Sequence, residues 1–201
     1  MSVTQVTRRR LLVAAVVASS VGLWACRARE EPLPKLGAVP AFSMHDQDGR
    51  TVSEQSLRGK PSAVTFMFTR CPSICPAVTR AMRGVQRQAA DKGVALRLVS
   101  ITVDPENDSP AVLKEYAHKY GADLKTWSFL TGNPSELQRI AEQGFKIAFA
   151  GSADPSKSDF GITHGTHLVL VDRDLQIRGY YRSSDPEALA HLVADAGRLA
   201  H

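Results

Sequence analysis

The chain has 201 residues and a formal net charge of +5, with 43% hydrophobic and 22% charged residues. That length and balance describe one globular domain with short extensions, and exclude a disordered or uniformly hydrophobic chain. Arg8, Arg9 and Arg10 supply three of the positive charges, and residues 1–25 contain no acid. No other basic run is long enough for a nucleic-acid footprint, so nucleic acid is excluded as a partner.

Residues 1–26 form an export signal. A basic segment ends at Arg10, and an apolar stretch runs from Leu11 to Ala25, short of the ~20 residues a spanning helix needs. Thr7-Arg8-Arg9-Arg10-Leu11-Leu12 resembles a twin-arginine motif. Leu23-Trp24-Ala25-Cys26 resembles a lipobox, which makes Cys26 the lipidated first residue of the mature chain. With Cys26 lipidated, Cys71 and Cys75 remain as an even pair suited to an oxidising compartment, which places the domain on the extracytoplasmic side of the cell envelope. Residues 27–40, rich in charge and proline, predict a tether, and residues 41–201 the folded domain.

Within the domain, Ala41–Met44 and Arg50–Val52 flank Asp48-Gly49 and predict a β-hairpin. Ala63–Phe68 is a run rich in β-branched and aromatic residues, of the kind buried in the middle of a sheet. A helix is expected from Pro76 to Asp91, with Val78, Met82, Val85 and Ala89 on its inner face. A second buried strand spans Val94–Val103, followed by a helix over Ala111–Tyr120 that Asp108 or Ser109 caps and Gly121 stops. Trp127–Leu130 is extended, Pro134–Gln143 helical, and Ser152–Asp159 a polar loop. Strands follow at Leu168–Val171 and Gln176–Tyr181, then a final helix from Asp185-Pro186-Glu187. This order, with a cysteine pair after an early strand, predicts an α/β, thioredoxin-like fold: an N-terminal β-hairpin and a central mixed sheet flanked by helices.

The chemistry centres on Cys71-Pro72-Ser73-Ile74-Cys75-Pro76. Both thiols lie at or just before a helix N-terminus, where free N–H groups and the helix dipole favour thiolate. Two cysteines four apart can close a Cys71–Cys75 disulfide, exchange thiols with a partner, or grip one soft metal ion. His164, in the loop before the Leu168–Val171 strand, adds an imidazole on the side facing the cysteine turn. No proline occurs between Asp159 and Arg182, so the substrate clamp usual in thioredoxins is missing. Two thiolates plus one imidazole suit Cu(I), and imidazole tolerates Cu(II) as well. His167 is the competing histidine. Residues three apart on a strand face opposite ways, and the loop position favours His164. Val64 and Phe68 stand where the proline and threonine of a peroxiredoxin belong, which argues against that enzyme.

These stretches resemble the Sco/SenC family of membrane-tethered copper proteins. The resemblance rests on Asp46–Val52, Leu57–Pro61, Phe68–Pro76, Ser100–Pro110, Leu130-Thr131-Gly132 and Thr163-His164, and covers residues 40–195. It implies copper ligation by Cys71, Cys75 and His164, and a metallochaperone serving the binuclear copper site of cytochrome c oxidase. The implied acceptor is oxidase subunit II or another extracytoplasmic copper protein. Such a protein is a carrier, not a catalyst; the alternative is an extracytoplasmic thiol–disulfide oxidoreductase using Cys71 and Cys75. Two positions depart from the family pattern: Ser73 and Thr163 stand where the family commonly carries aspartate. Their loss removes negative charge and two outer partners from the site.

Overall fold

The computed structural model describes residues 31–147 and 166–200. The export signal and the Ser152–Asp159 loop lie outside the described residues. In the domain, β2 (Ser43–His45) and β3 (Thr51–Ser53) form the expected hairpin as a two-stranded sheet. Its turn is held locally, because Asp46 Oδ1 accepts from the N–H groups of Asp48 and Arg50, both at 2.9 Å. Gly49 takes the positive φ of 78° that the turn requires.

The main sheet has six strands in the order β1-β8-β7-β4-β5-β6. They are β1 (Gly37–Ala38), β4 (Ser62–Met67), β5 (Arg97–Thr102), β6 (Trp127–Leu130), β7 (His167–Val171) and β8 (Gln176–Arg182). β4, β5 and β6 run parallel; β7 is antiparallel to β4, and β8 to β7. The central strands are rich in apolar residues because both faces are covered, with Ser62, Thr65, Ser100 and Thr102 buried among them. Met67, Leu98, Phe129 and Leu168 face one core with the helices α1 (Ile74–Asp91), α2 (Pro110–Lys119) and α4 (Pro186–Leu199). Phe66, Val99, Leu130 and Val169 face the other, which α3 (Pro134–Arg139), a π-turn at Ile140–Gly144 and the hairpin residue Met44 close. This is the mixed, helix-flanked sheet predicted.

Three boundaries differ from the sequence prediction. First, α1 begins at Ile74, two residues before Pro76. Proline needs no N–H anywhere in a first turn, so its third position in the helix costs nothing. Second, the predicted 134–143 helix splits into α3 and the π-turn. Third, residues 33–40 belong to the domain. β1 pairs with β8, Leu36 N–H and Val39 N–H donate to Ile177 and Leu175 carbonyls at 2.8 Å, and Val39 is buried. A two-residue edge strand flanked by prolines has no periodicity to read. Its only signal is the strand it pairs with, some 140 residues away.

Gly144 marks how tightly this segment is seated. A Cβ there would meet Pro40 Cδ at 2.5 Å and Cγ at 2.8 Å, both in a rigid ring. Gly144→Ala is therefore expected to lower unfolding stability by about 1–3 kcal/mol through overpacking. Urea denaturation checks this, and an unchanged midpoint contradicts the docking of residues 33–40.

Candidate metal centre

The thiol loop begins at Phe68, directly after β4 ends at Met67, and returns as the first turn of α1. Nothing within the loop is regular, so its shape comes from outside it. Asp108, wholly buried, provides the anchor. Its carboxylate accepts from Thr69 N–H at 3.1 Å, from Thr69 Oγ1, and from Thr102 Oγ1 at the end of β5. Arg70 forms a second tie. Its Nε and Nη2 reach Asp104 Oδ2 at 2.9 and 2.8 Å, while Asn107 Nδ2 donates to Asp104 Oδ1 at 2.8 Å. Asp104 N–H in turn donates to Thr102 Oγ1 at 3.0 Å. Two consecutive residues just before Cys71 are thus pinned to the loop after β5 through charged hydrogen bonds, the stronger kind.

Cys71 and Cys75 are free thiols, Cys71 in the loop before α1 and Cys75 in its first turn. Cys71 is half-buried and Cys75 buried, and Cys75 N–H points at Cys71 Sγ at 3.4 Å. The two thiols have opposite electrostatics. Partial burial pushes the Cys71 thiol up, but hydrogen bonds from the Cys75, Ser73 and Ile74 backbones and the Cys75 thiol outweigh it. Its net shift is downward. Burial pushes the Cys75 thiol up to about 12; a hydrogen bond from the Phe68 backbone opposes this, and the neighbouring charges of Cys71 and Asp108 reinforce it. Below them, Thr79 Oγ1 donates to the Cys75 carbonyl at 2.8 Å and shares a 2.8 Å hydrogen bond with Tyr116 OH. At the rim, Pro72 and Ser73 are exposed, and Ile74 presents 48% of its surface to solvent.

The pair brings together two soft donors at the open end of a helix, one accessible and one sheltered. This chemistry fits a soft metal ion, or a redox pair, and leaves room for a donor from another element. Among the described residues no group of three His, Cys, Asp or Glu side chains is gathered that could hold a metal. His164, Thr163 and Cys26 lie outside the described residues. His167 is part-buried at the start of β7, where its carbonyl accepts from Thr65 Oγ1 at 3.4 Å. His45, His118 and His191 are exposed, as the sequence suggests for the first two.

Sequence reasoning placed Asp108 as an alternative cap for α2. In the structure Ser109 takes the cap, accepting from Val112 N–H at 3.4 Å, and Asp108 turns to the thiol loop. Thr69, Arg70, Thr102 and Asp104 also went unassigned. The available signal was two acids in a loop directly after a buried strand, on the same sheet edge as the cysteine turn.

Fold and site together define a thioredoxin-like α/β domain with a dithiol at the head of its first long helix. The SCO1/SenC family model matches residues 31–197, and the chain belongs to that family. Among solved structures it is similar to BsSco, a member of the Sco family of cytochrome c oxidase assembly proteins in which a disulfide switch was identified. That likeness has 30% identity and a TM-score of 0.74, covering 84% of this chain and 97% of BsSco. A SCO1/SenC family lipoprotein from Bacillus anthracis shares 27% identity at a TM-score of 0.75, over 85% of this chain and all of that one. ScoI of Bradyrhizobium japonicum, solved with copper bound, shares 25% identity at a TM-score of 0.64, over 81% and 99%.

Two outcomes are expected from this geometry. In reduced, metal-free protein, thiolate is the reacting form, so the lowered Cys71 alkylates with iodoacetamide at lower pH than a free cysteine. Cys75 resists until pH approaches its value of about 12. Equal rates by mass spectrometry contradict the asymmetry. Asp108→Ala leaves three donors unpaired and costs about 3 kcal/mol or more in urea unfolding. A loss below about 1 kcal/mol contradicts the anchoring role.

Proposed function

We propose that this protein is a membrane-tethered copper carrier that assists assembly of the binuclear copper site of cytochrome c oxidase. It holds its cargo through Cys71, Cys75 and His164. The observation that carries this reading is the pair of thiols at the head of α1, with Cys75 N–H 3.4 Å from Cys71 Sγ, in a chain of the SCO1/SenC family. Copper bound to the related ScoI supports copper as the cargo. Cys71, at the rim and biased toward thiolate, is the first donor a copper ion or an acceptor meets. Cys75 keeps its proton until the metal displaces it, so release of copper returns a proton to a sheltered thiol. The Arg70–Asp104 and Thr69–Asp108 ties fix the loop, so the donors do not have to be ordered when metal arrives. His164 completes an S₂N set suited to Cu(I) and compatible with Cu(II).

Residues 1–26 act as the export signal, with Cys26 as the lipid attachment point and the remaining residues before Leu33 as the tether. A family lipoprotein among the similar structures supports the anchor. Among the described residues no helix is long and apolar enough to cross a membrane. The domain then works on the extracytoplasmic face. The acceptor is subunit II of the oxidase or another extracytoplasmic copper protein.

A second reading is favoured by the thiol asymmetry itself. A lowered, accessible Cys71 beside a raised, buried Cys75 is the arrangement of an attacking and a resolving thiol. Cys71 thiolate attacks a partner disulfide, forming a mixed disulfide and expelling one partner thiol. Cys75 then attacks Cys71 Sγ, which leaves a Cys71–Cys75 disulfide and a fully reduced partner. The disulfide switch identified in BsSco supports this use of the pair.

Titration of the reduced chain against a competing Cu(I) chelator separates the readings. The carrier takes up one equivalent, and Cys71→Ser abolishes uptake. His164→Ala weakens it by at least about tenfold, the scale at which even outer partners act. Unchanged affinity in His164→Ala removes His164 from the ligand set. Rapid disulfide turnover by metal-free protein, lost in Cys71→Ser and indifferent to His164→Ala, favours the oxidoreductase. Mass spectrometry of the mature protein is expected to find an acyl chain on Cys26, and an unmodified Cys26 contradicts the lipid anchor.

A further inference from the structure

At the end of the sheet opposite the thiols, the starts of β4, β5 and β6 lie side by side. Arg97 opens β5 and donates its N–H to the Pro61 carbonyl at 3.0 Å, and Leu98 N–H reaches the Thr126 carbonyl at 2.8 Å. Between these strand starts is a cleft of about 210 Å³ lined by Lys60, Arg97, Lys125 and Ser128 among others. Three cations converge there, and no carboxylate lines the cleft. Asp123, the nearest acid along the chain, turns its Oδ1 to the Lys125 N–H at 3.0 Å. Neither Lys60 nor Lys125 has an ion pair among the described residues.

Arg97 is the informative member. Its guanidinium is half-buried, and among the described residues its side chain has one hydrogen-bond partner, the Ser56 carbonyl. Burial lowers its pKa with no opposing cause. A cation drawn partly out of water without a counter-charge bears a desolvation cost that one carbonyl offsets in part and an anion would offset further. The size of the cleft narrows the class of anion. At about 210 Å³ it is smaller than the roughly 300–1,000 Å³ that hold drug-sized organic ligands. It suits a compact, multiply charged group. An Arg fork, two lysine point charges and a serine hydroxyl are the donor set for tetrahedral oxyanions.

We propose that this cleft is a binding site for a phosphate group. Free phosphate and the phosphodiester of an anionic lipid headgroup share the chemistry. If a headgroup fills it, the cleft rests on the bilayer. The thiols then point away from the membrane by about 20 Å, the length of a six-residue strand.

The test uses the full chain and residue-resolved acetylation of lysines, read by mass spectrometry. One arm adds inorganic phosphate against chloride at matched ionic strength. The other incorporates the protein into phosphatidylglycerol or phosphatidylcholine vesicles. Lys60 and Lys125 are expected to be protected by a factor of 1 + [L]/Kd, about tenfold at about ten times Kd, while Lys119 on α2 is unaffected. Protection by phosphate identifies a free-phosphate site. Protection by phosphatidylglycerol alone, absent with phosphatidylcholine, identifies the lipid headgroup. Arg97→Gln removes the protection in either case. Lys60→Gln, at an exposed position outside the core, weakens protection of Lys125 and serves if Arg97→Gln does not fold. Equal acetylation of Lys60, Lys125 and Lys119 in both arms overturns the proposal, as does protection that survives both substitutions.

Discussion

A single buried carboxylate, Asp108, determines the shape of the functional end of this domain. Among the described residues its hydrogen-bond partners include no cation; a backbone N–H and two hydroxyls satisfy it. A charge in that position is tolerable only if every one of those donors stays in place. The loop bearing Thr69 and the end of β5 bearing Thr102 are therefore locked together. Cys71, two residues beyond Thr69, inherits that rigidity. The Arg70–Asp104 pair adds a second tie on the solvent side, where Arg70 remains partly exposed. That outer bond is screened by water and is worth less than the inner one.

The same carboxylate contributes to the division of labour between the thiols. Its charge, after burial and alongside that of Cys71, raises Cys75, whereas Cys71 gains backbone donors from the opening turn of α1. One thiol is ready at the rim and the other is held in reserve. A metal carrier and a thiol exchanger both need such a pair, which is why one site supports both readings. What would distinguish them is a third donor, the role proposed for His164.

Much of this was legible in the sequence wherever the cause was local or periodic. The β2–β3 hairpin was legible because Asp46 and Gly49 shape their own turn. β4 and β7 were legible because burial on both faces leaves runs made mostly of apolar residues. The cysteine pair announced itself through spacing and its place between strand and helix. The anchoring acids did not, because Asp108 acts on a residue 39 positions away and Asp104 on one 34 away. An acid before a helix reads as a cap until the tertiary partner is known. The edge strand at Gly37–Ala38 was hidden for the same reason, its partner being β8.

The central claim is that copper is held by two sulfurs and one imidazole nitrogen drawn from Cys71, Cys75 and His164. Copper K-edge X-ray absorption on the Cu(I)-loaded chain tests it most directly. The account predicts two sulfur neighbours and one nitrogen in the first shell, with the nitrogen lost in His164→Ala. A shell without sulfur, or a nitrogen that persists in that variant, would contradict it.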